Sequence, residues 1–213
     1  MNNSQRDRPN SGSRRRRRRR GPAPALISGT SSEFLGGKPL PRAVRERPLV
    51  FLLGPRGVGK TQVAHRLVGS DTLHLYERAL LDAVSMQVRQ RAWPDQLDTL
   101  PELILEGPSF LPHRPGLAGA LQALISTRAE SDLKTIVTDA EGTAALGLME
   151  GVAPELRATV VLRFPVGRGR LKLARQFCSQ LGIDPRYAER TVDISPWSYA
   201  AVWARLEQLQ GEE

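Results

Sequence analysis

The sequence predicts an α/β fold: a parallel-sheet core of the P-loop NTPase type, helices on both faces, a short C-terminal helical part and a disordered basic N-terminal tail. Three observations predict it. From Pro48 onward, short apolar runs alternate with stretches of helical periodicity, the pattern of strand–helix–strand units in a mainly parallel sheet. The first run is joined to the first helical stretch by a glycine-rich segment, where a phosphate-binding loop belongs. At 213 residues, with 40% hydrophobic and 25% charged residues, the chain suits one such domain plus appendages.

Residues 1–20 have no apolar side chain after Met1 and carry seven consecutive arginines, Arg14 to Arg20. A segment of this kind cannot bury enough surface to offset its ordering entropy and is expected to be disordered. Residues 21–47, rich in Gly, Pro and Ser, read as a linker, so the domain is expected over 48–213. Strands are expected over 48–53 (PLVFLL), 72–76 (TLHLY), 103–106 (LILE), 135–138 (TIVT), 158–164 (ATVVLRF) and 191–194 (TVDI). Helical faces are set by Leu81, Val84 and Val88, then Leu117, Leu121, Leu124 and Ile125, then Leu171, Ala174, Cys178 and Leu181 with a stop at Gly182. A last helix is expected to be capped by Ser195, with Pro196 in its first turn and Tyr199, Trp203 and Leu206 on one side.

The charge is unevenly placed. Residues 1–47 hold 13 Lys+Arg against 3 Asp+Glu, and residues 48–213 hold 18 against 19, so the net +9 belongs to the tail. The run Arg14–Arg20 is expected to bind nucleic acid or another polyanion without sequence preference, since adjacent guanidinium groups match phosphates but present no fixed geometry to base edges. No stretch reaches the roughly 20 apolar residues of a membrane-spanning helix, and no apolar segment follows the arginines as in a secretory signal. With one cysteine, Cys178, no internal disulfide forms, and a cytoplasmic location is expected.

Gly54-Pro55-Arg56-Gly57-Val58-Gly59-Lys60-Thr61 matches GxxxxGK[ST] between a strand and a helix whose Val63, Ala64, Leu67 and Val68 can face the sheet. The glycines let successive backbone N–H groups turn inward around a phosphate chain, and the positive end of the new helix adds to the attraction. Lys60 supplies a point charge for the β and γ phosphates and the Thr61 hydroxyl completes Mg²⁺ coordination, so ATP with Mg²⁺ is the expected cofactor. A second requirement is an acidic residue at the end of a neighbouring strand. Glu106 closes LILE before Gly107, and Asp139 closes TIVT before Ala140 and Glu141; both are candidates.

The loop, the LILEGPSFLP strand and loop, the ALQALI helix, the TIVTD strand and the ELRATVVLRFP segment follow one another much as in the AAA+ ATPases of the DnaA-like replication-initiator and helicase-loader group, which the chain resembles over about 48–183. The resemblance implies that Lys60, Glu106, Asp139 and Arg157 are catalytic. In it Glu106 takes the Walker B position and reaches the nucleotide-borne metal with Thr61, Asp139 takes sensor 1, Arg157 the arginine finger and Arg205 sensor 2. It implies a protein partner or self-assembly as well. Where the group has an acidic pair the chain has Glu106-Gly107, which implies weak hydrolysis and makes Asp139→Asn at least as damaging as Glu106→Gln. Only an abbreviated lid follows, with no room for a helix-turn-helix domain.

Two other functions fit the same motif. A small-molecule kinase of the nucleoside or nucleotide type would use the LILEG acidic residue at its acceptor and clamp phosphates with Arg163, Arg168 and Arg170. A non-catalytic adaptor would hold nucleotide structurally and target through the arginine run. His65, His74 and His113 lie at unrelated spacings, so no protein-built metal site is expected. Cys178 falls on a core face, and Trp93, Trp197 and Trp203 are too scattered for base stacking.

Overall fold

The computed structural model describes residues 25–30, 40–140, 142–194 and 196–211. Among the described residues six strands form one sheet: β1 (Ala25–Thr30), β2 (Leu49–Leu53), β3 (Leu73–Leu75), β4 (Glu102–Glu106), β5 (Lys134–Asp139) and β6 (Arg157–Arg163). Their order is β1-β6-β2-β5-β4-β3, and every pairing is parallel. All C-terminal strand ends therefore lie on one side, where α/β sheets bind ligands.

Pleat parity assigns each strand residue to one of two cores. Leu49, Phe51, Leu103, Leu105 and Val137 pack on one side with α3 (Glu77–Gln90), α4 (Pro115–Glu130) and α5 (Thr143–Glu150). Val50, Leu52, Ile104, Ile136, Val160 and Leu162 pack on the other with α1 (Arg42–Arg45) and α2 (Lys60–His65). Burial on both faces explains why β2 reads as an unbroken apolar run. A third cluster joins α6 (Arg168–Leu181), the 3₁₀ turn Pro185–Thr191 and α7 (Tyr199–Gly211) through Phe177, Cys178, Tyr187, Val202 and Leu206.

Several expectations need correction. Residues expected as linker join the fold: Ala25–Thr30 pairs with β6 as an edge strand, and Leu40 and Val44 are buried under the sheet. The strand expected over 191–194 is absent. Thr191 instead ends a 3₁₀ turn, its buried hydroxyl donating to the Ala188 carbonyl at 2.8 Å, a local bond that competes with extended backbone. On α3 the buried face is Leu80, Ala83 and Val84, while Val88 is exposed. The last helix starts later than expected, and the Ser198 hydroxyl accepts the Ala201 N–H at 3.1 Å as its cap. Ser195, Glu141, the 1–20 tail and Arg14–Arg20 lie outside the described residues.

Candidate functional site

The loop expected between the first strand and helix is formed. Gly54, Gly57 and Gly59 have φ of 148°, 75° and 86°, and α2 begins at Lys60. At two of these positions a side chain is excluded by neighbours as well as by conformation. A Cβ on Gly54 would lie 2.4 Å from the Leu162 carbonyl oxygen, and one on Gly57 would lie 2.8 Å from Ser198 Cβ. The Tyr199 N–H donates to the Gly57 carbonyl at 3.1 Å, so the start of α7 sits on the loop.

Lys60 is held by its own loop, its Nζ donating to the carbonyls of Gly54 (2.7 Å) and Pro55 (3.0 Å). Burial pulls its pKa below the usual lysine value; the Glu106 and Asp139 carboxylates oppose that shift and Arg56 adds to it. The Thr61 hydroxyl donates to Glu106, 3.1 Å from Oε1 and 3.2 Å from Oε2. His74 Nε2 lies 2.8 Å from Glu106 Oε2, with the imidazole only 9% exposed. Its ring stacks on Tyr76 at 4.0 Å. Two partners thus fix the carboxylate.

Register explains why Glu106 and Asp139 differ. Glu106 pairs with Thr138, so both face α2 and Thr61, while Asp139 points to the opposite face. There Asp139, 3% exposed, accepts the Ala145 N–H at 2.9 Å, tying it to the first turn of α5. The Thr138 hydroxyl, 1% exposed, has no hydrogen-bond partner among the described residues. A buried hydroxyl in that condition is costly unless something else satisfies it.

The loop, Glu106, Thr138 and Asp139 line a cavity of about 440 Å³ that continues to Tyr76, Glu77 and Ser109; the Ser109 hydroxyl donates to Glu77. A second cavity of about 700 Å³ adjoins it, sharing Gln62, Tyr199 and Ala200, and is lined further by Phe177, Trp203, Gln176 and Gln180. Sequence spacing gave no hint of either His74 or Thr138, because each acquires its place only through register. The tryptophans expected to be scattered partly converge, Trp197 and Trp203 joining one aromatic cluster with Phe177 and Tyr199.

Other expected site residues lie apart. Arg157 opens β6, at the end of the sheet away from the loop. Arg205 is on α7, donating to Gln208 at 3.3 Å, and does not line the loop cavity. Arg170 is occupied by the carbonyls of Pro165 and Val192 and by the Trp197 ring, and neither Arg163 nor Arg168 lines the cavity. Cys178 is fully buried and its thiol pKa is pushed up by burial. Among the described residues no group of three His, Cys, Asp or Glu side chains could hold a metal, and no helix is long and apolar enough to cross a membrane.

No protein-family model and no curated protein matches the chain. Solved structures do resemble it. Domain III of the Thermotoga maritima replication initiation protein DnaA superposes with a TM-score of 0.61 at 13% identity, covering 79% of this chain and 80% of that one. AMPPCP-bound DnaA from Aquifex aeolicus gives 0.58 at 11% identity, over 85% of this chain and 63% of that one. A Walker-type ATPase of Pyrococcus abyssi gives 0.54 at 16% identity, over 85% and 67%. Likeness at such identities shows the fold alone, a parallel α/β sheet flanked by helices that this chain shares with those structures.

Proposed function

We propose that the chain binds ATP with Mg²⁺ and, as an AAA+-like weak ATPase or nucleotide-dependent switch, acts on a macromolecular partner. The observation that carries this is the meeting of Lys60, Thr61, Glu106 and the partnerless Thr138 hydroxyl around one loop. Those residues fit the group: a hydroxyl and a carboxylate for the cation, an ammonium for phosphate oxygens, and a buried hydroxyl that can donate to a phosphate oxygen or a water. Mg²⁺, when bound with nucleotide, neutralises the charge that develops on the phosphate oxygens. Lys60 exchanges its two loop carbonyls for phosphate oxygens, a stronger, charge-assisted interaction. His74 keeps Glu106 aimed at Thr61, and the aromatic and amide groups of the adjoining cavity give the base and sugar a place beside the loop.

Glu106, on the Thr61 side of the sheet, is favoured over Asp139 as the working acid. Asp139 borders the same cavity but accepts the Ala145 N–H of α5, which supports placing Glu106 ahead of it, against the order expected from the missing acidic pair. Arg157, at the far end of the sheet, can meet a nucleotide only on another copy, so an arginine-finger role implies self-assembly. The kinase alternative is weakened by the engagement of Arg170. Arg14–Arg20 supply a separate polyanion-binding element.

Titration with fluorescent ATP and GTP analogues, with and without Mg²⁺, tests the binding, and steady-state phosphate release tests the turnover. Saturable, Mg²⁺-dependent binding with slow release is the expected result. Transfer of labelled phosphate to a nucleoside, nucleotide or other small acceptor would replace this function with a kinase, and binding without any turnover would leave an adaptor.

A further inference from the structure

The outward face of α6 carries charge of one sign. Between Arg168 and Leu181 the helix has Arg168, Arg170, Lys172 and Arg175 and no Asp or Glu, although residues 48–213 as a whole are near neutral. Leu173, Ala174, Phe177 and Cys178 are buried on the opposite side, so packing fixes the direction of the charge. At roughly 100° per residue, Arg168, Lys172, Arg175 and Ser179 fall in one narrow stripe. All four are exposed, and with Leu171 and Gln176 they line a shallow groove of about 580 Å³.

No carboxylate lines that groove. Arg175 meets Glu189 at 3.5 Å with both side chains more than half exposed, a pairing of little worth in water. Arg168 stands at the first helical position and the first turn holds no acid, so the helix dipole opposes the cation unless an anion comes between them. From Arg168 to Arg175 the helix rises about 10 Å, a length over which one nucleic-acid strand presents about three phosphates. The donors present, guanidinium, ammonium, hydroxyl and amide, are those that contact phosphodiesters. With Leu171 the only apolar residue in it and no aromatic ring, the groove lacks the apolar anchor that a protein interface needs and any platform for stacking bases.

We propose that this α6 stripe is a second polyanion-binding surface, on the folded domain, that takes the phosphodiester backbone of nucleic acid without reading its bases. It does not depend on nucleotide binding at Lys60.

The test uses the full chain with Arg14–Arg20 replaced by glutamine, so that the run does not mask the stripe. Affinity for duplex and single-stranded DNA oligonucleotides is measured against KCl concentration. Contact with three phosphates gives a slope of log K against log salt of about −3 on duplex and about −2 on single strands. Adding R168Q, K172Q and R175Q is expected to bring the slope close to zero and to lower affinity at 50 mM salt by about tenfold or more, with ATP-analogue affinity unchanged. Should circular dichroism show that this variant does not fold, Lys172→Gln alone, at an exposed position, is expected to lower the slope by about 1. An unchanged slope in these variants overturns the proposal, as does the absence of salt-dependent binding in the parent. Competition by polyglutamate as effective as that by DNA also overturns it, in favour of an acidic protein.

Discussion

Two cations, Arg128 buried and Lys60 half-buried, stand at opposite ends of the same sheet, and their surroundings differ in kind. Arg128 is fully buried, and its guanidinium donates to the carbonyls of Leu97 (2.7 Å), Leu100 (2.8 Å) and Lys134 (2.8 Å) and to the Thr135 hydroxyl (2.8 Å). Burial holds its pKa down to about 10, yet every bond it makes is internal to the fold. Beside it, Lys134 gathers the carbonyls of Val44, Arg45 and Arg47 and so pins α1 to the sheet. Lys60, by contrast, holds only the carbonyls of its own loop, in a cavity it shares with a Thr138 hydroxyl that has no partner among the described residues. Around Arg128 the far end is closed, although the Arg157 Nε nearby is buried without a partner among the described residues; at the loop end, Lys60 sits on carbonyls that a ligand can replace.

The largest effect that tests this contrast is expected from Arg128→Met, which leaves three buried or half-buried carbonyls and a buried hydroxyl without their donor. A loss of about 4 kcal/mol of unfolding free energy follows from the cost of stranded buried groups, measurable by urea denaturation. A loss below about 1 kcal/mol would show that the far end is not closed by Arg128. Lys60→Ala should do the opposite: about a hundredfold loss of ATP-analogue affinity, equivalent to about 2.7 kcal/mol, with stability changed by less than about 0.5 kcal/mol. If both quantities fall together, Lys60 is as structural as Arg128.

Within the loop end the contrast sharpens between the two acids. Glu106→Gln is expected to slow phosphate release about tenfold or more and Asp139→Asn less than about threefold, since each tenfold is about 1.4 kcal/mol of barrier. His74→Ala should raise the Mg²⁺ concentration needed for half-maximal release several-fold, with a loss of about 1 to 2 kcal/mol of stability from the truncated, hydrogen-bonded imidazole. The reverse order of the acids would place Asp139 on the working side.

The smallest effect concerns Lys134, whose pKa is lowered to about 8 by burial, with Glu102 and Asp132 opposing. Below pH 8 folded and unfolded chains both bind the proton. Between pH 8 and the ordinary lysine value of 10.5, the folded chain releases it while the unfolded chain keeps it. Stability therefore rises with pH across that window, on the order of 1 kcal/mol relative to Lys134→Gln. A difference that falls or stays flat would mean that the three carbonyls, which favour the charged form, outweigh burial.

What could be read from residues alone was whatever depends on nearest neighbours along the chain. Of the five expected strands that form, β2, β4 and β5 announce themselves because burial on both faces demands unbroken apolar runs. β3 and β6 do so by their clustered apolar residues, although they are only partly buried, and the loop is local by construction. The edge strand Ala25–Thr30 did not, because it contains Ser28 and Gly29 and contacts the sheet on one side only. TVDI looked extended because Thr, Val and Ile favour strands, but a side-chain bond to Ala188 won. The parity that separates Glu106 from Asp139 follows from counting along two strands whose register no single segment contains. For the same reason His74 reaches Glu106 across 32 residues of chain without any spacing rule to reveal it.

The seat of α7 on the glycine loop has a consequence for synthesis on the ribosome. Gly57 emerges early, yet the contacts that complete its surroundings, from Ser198 and Tyr199, are translated about 140 residues later, a long-range closure of the kind that folds slowly. Until then a nascent chain presents the loop uncovered, with β1 likewise waiting for β6. Nucleotide competence should consequently arrive near the end of translation rather than with the loop itself. Arrested nascent chains released past residue 165 but short of residue 198 would hold the sheet and lack the finished site.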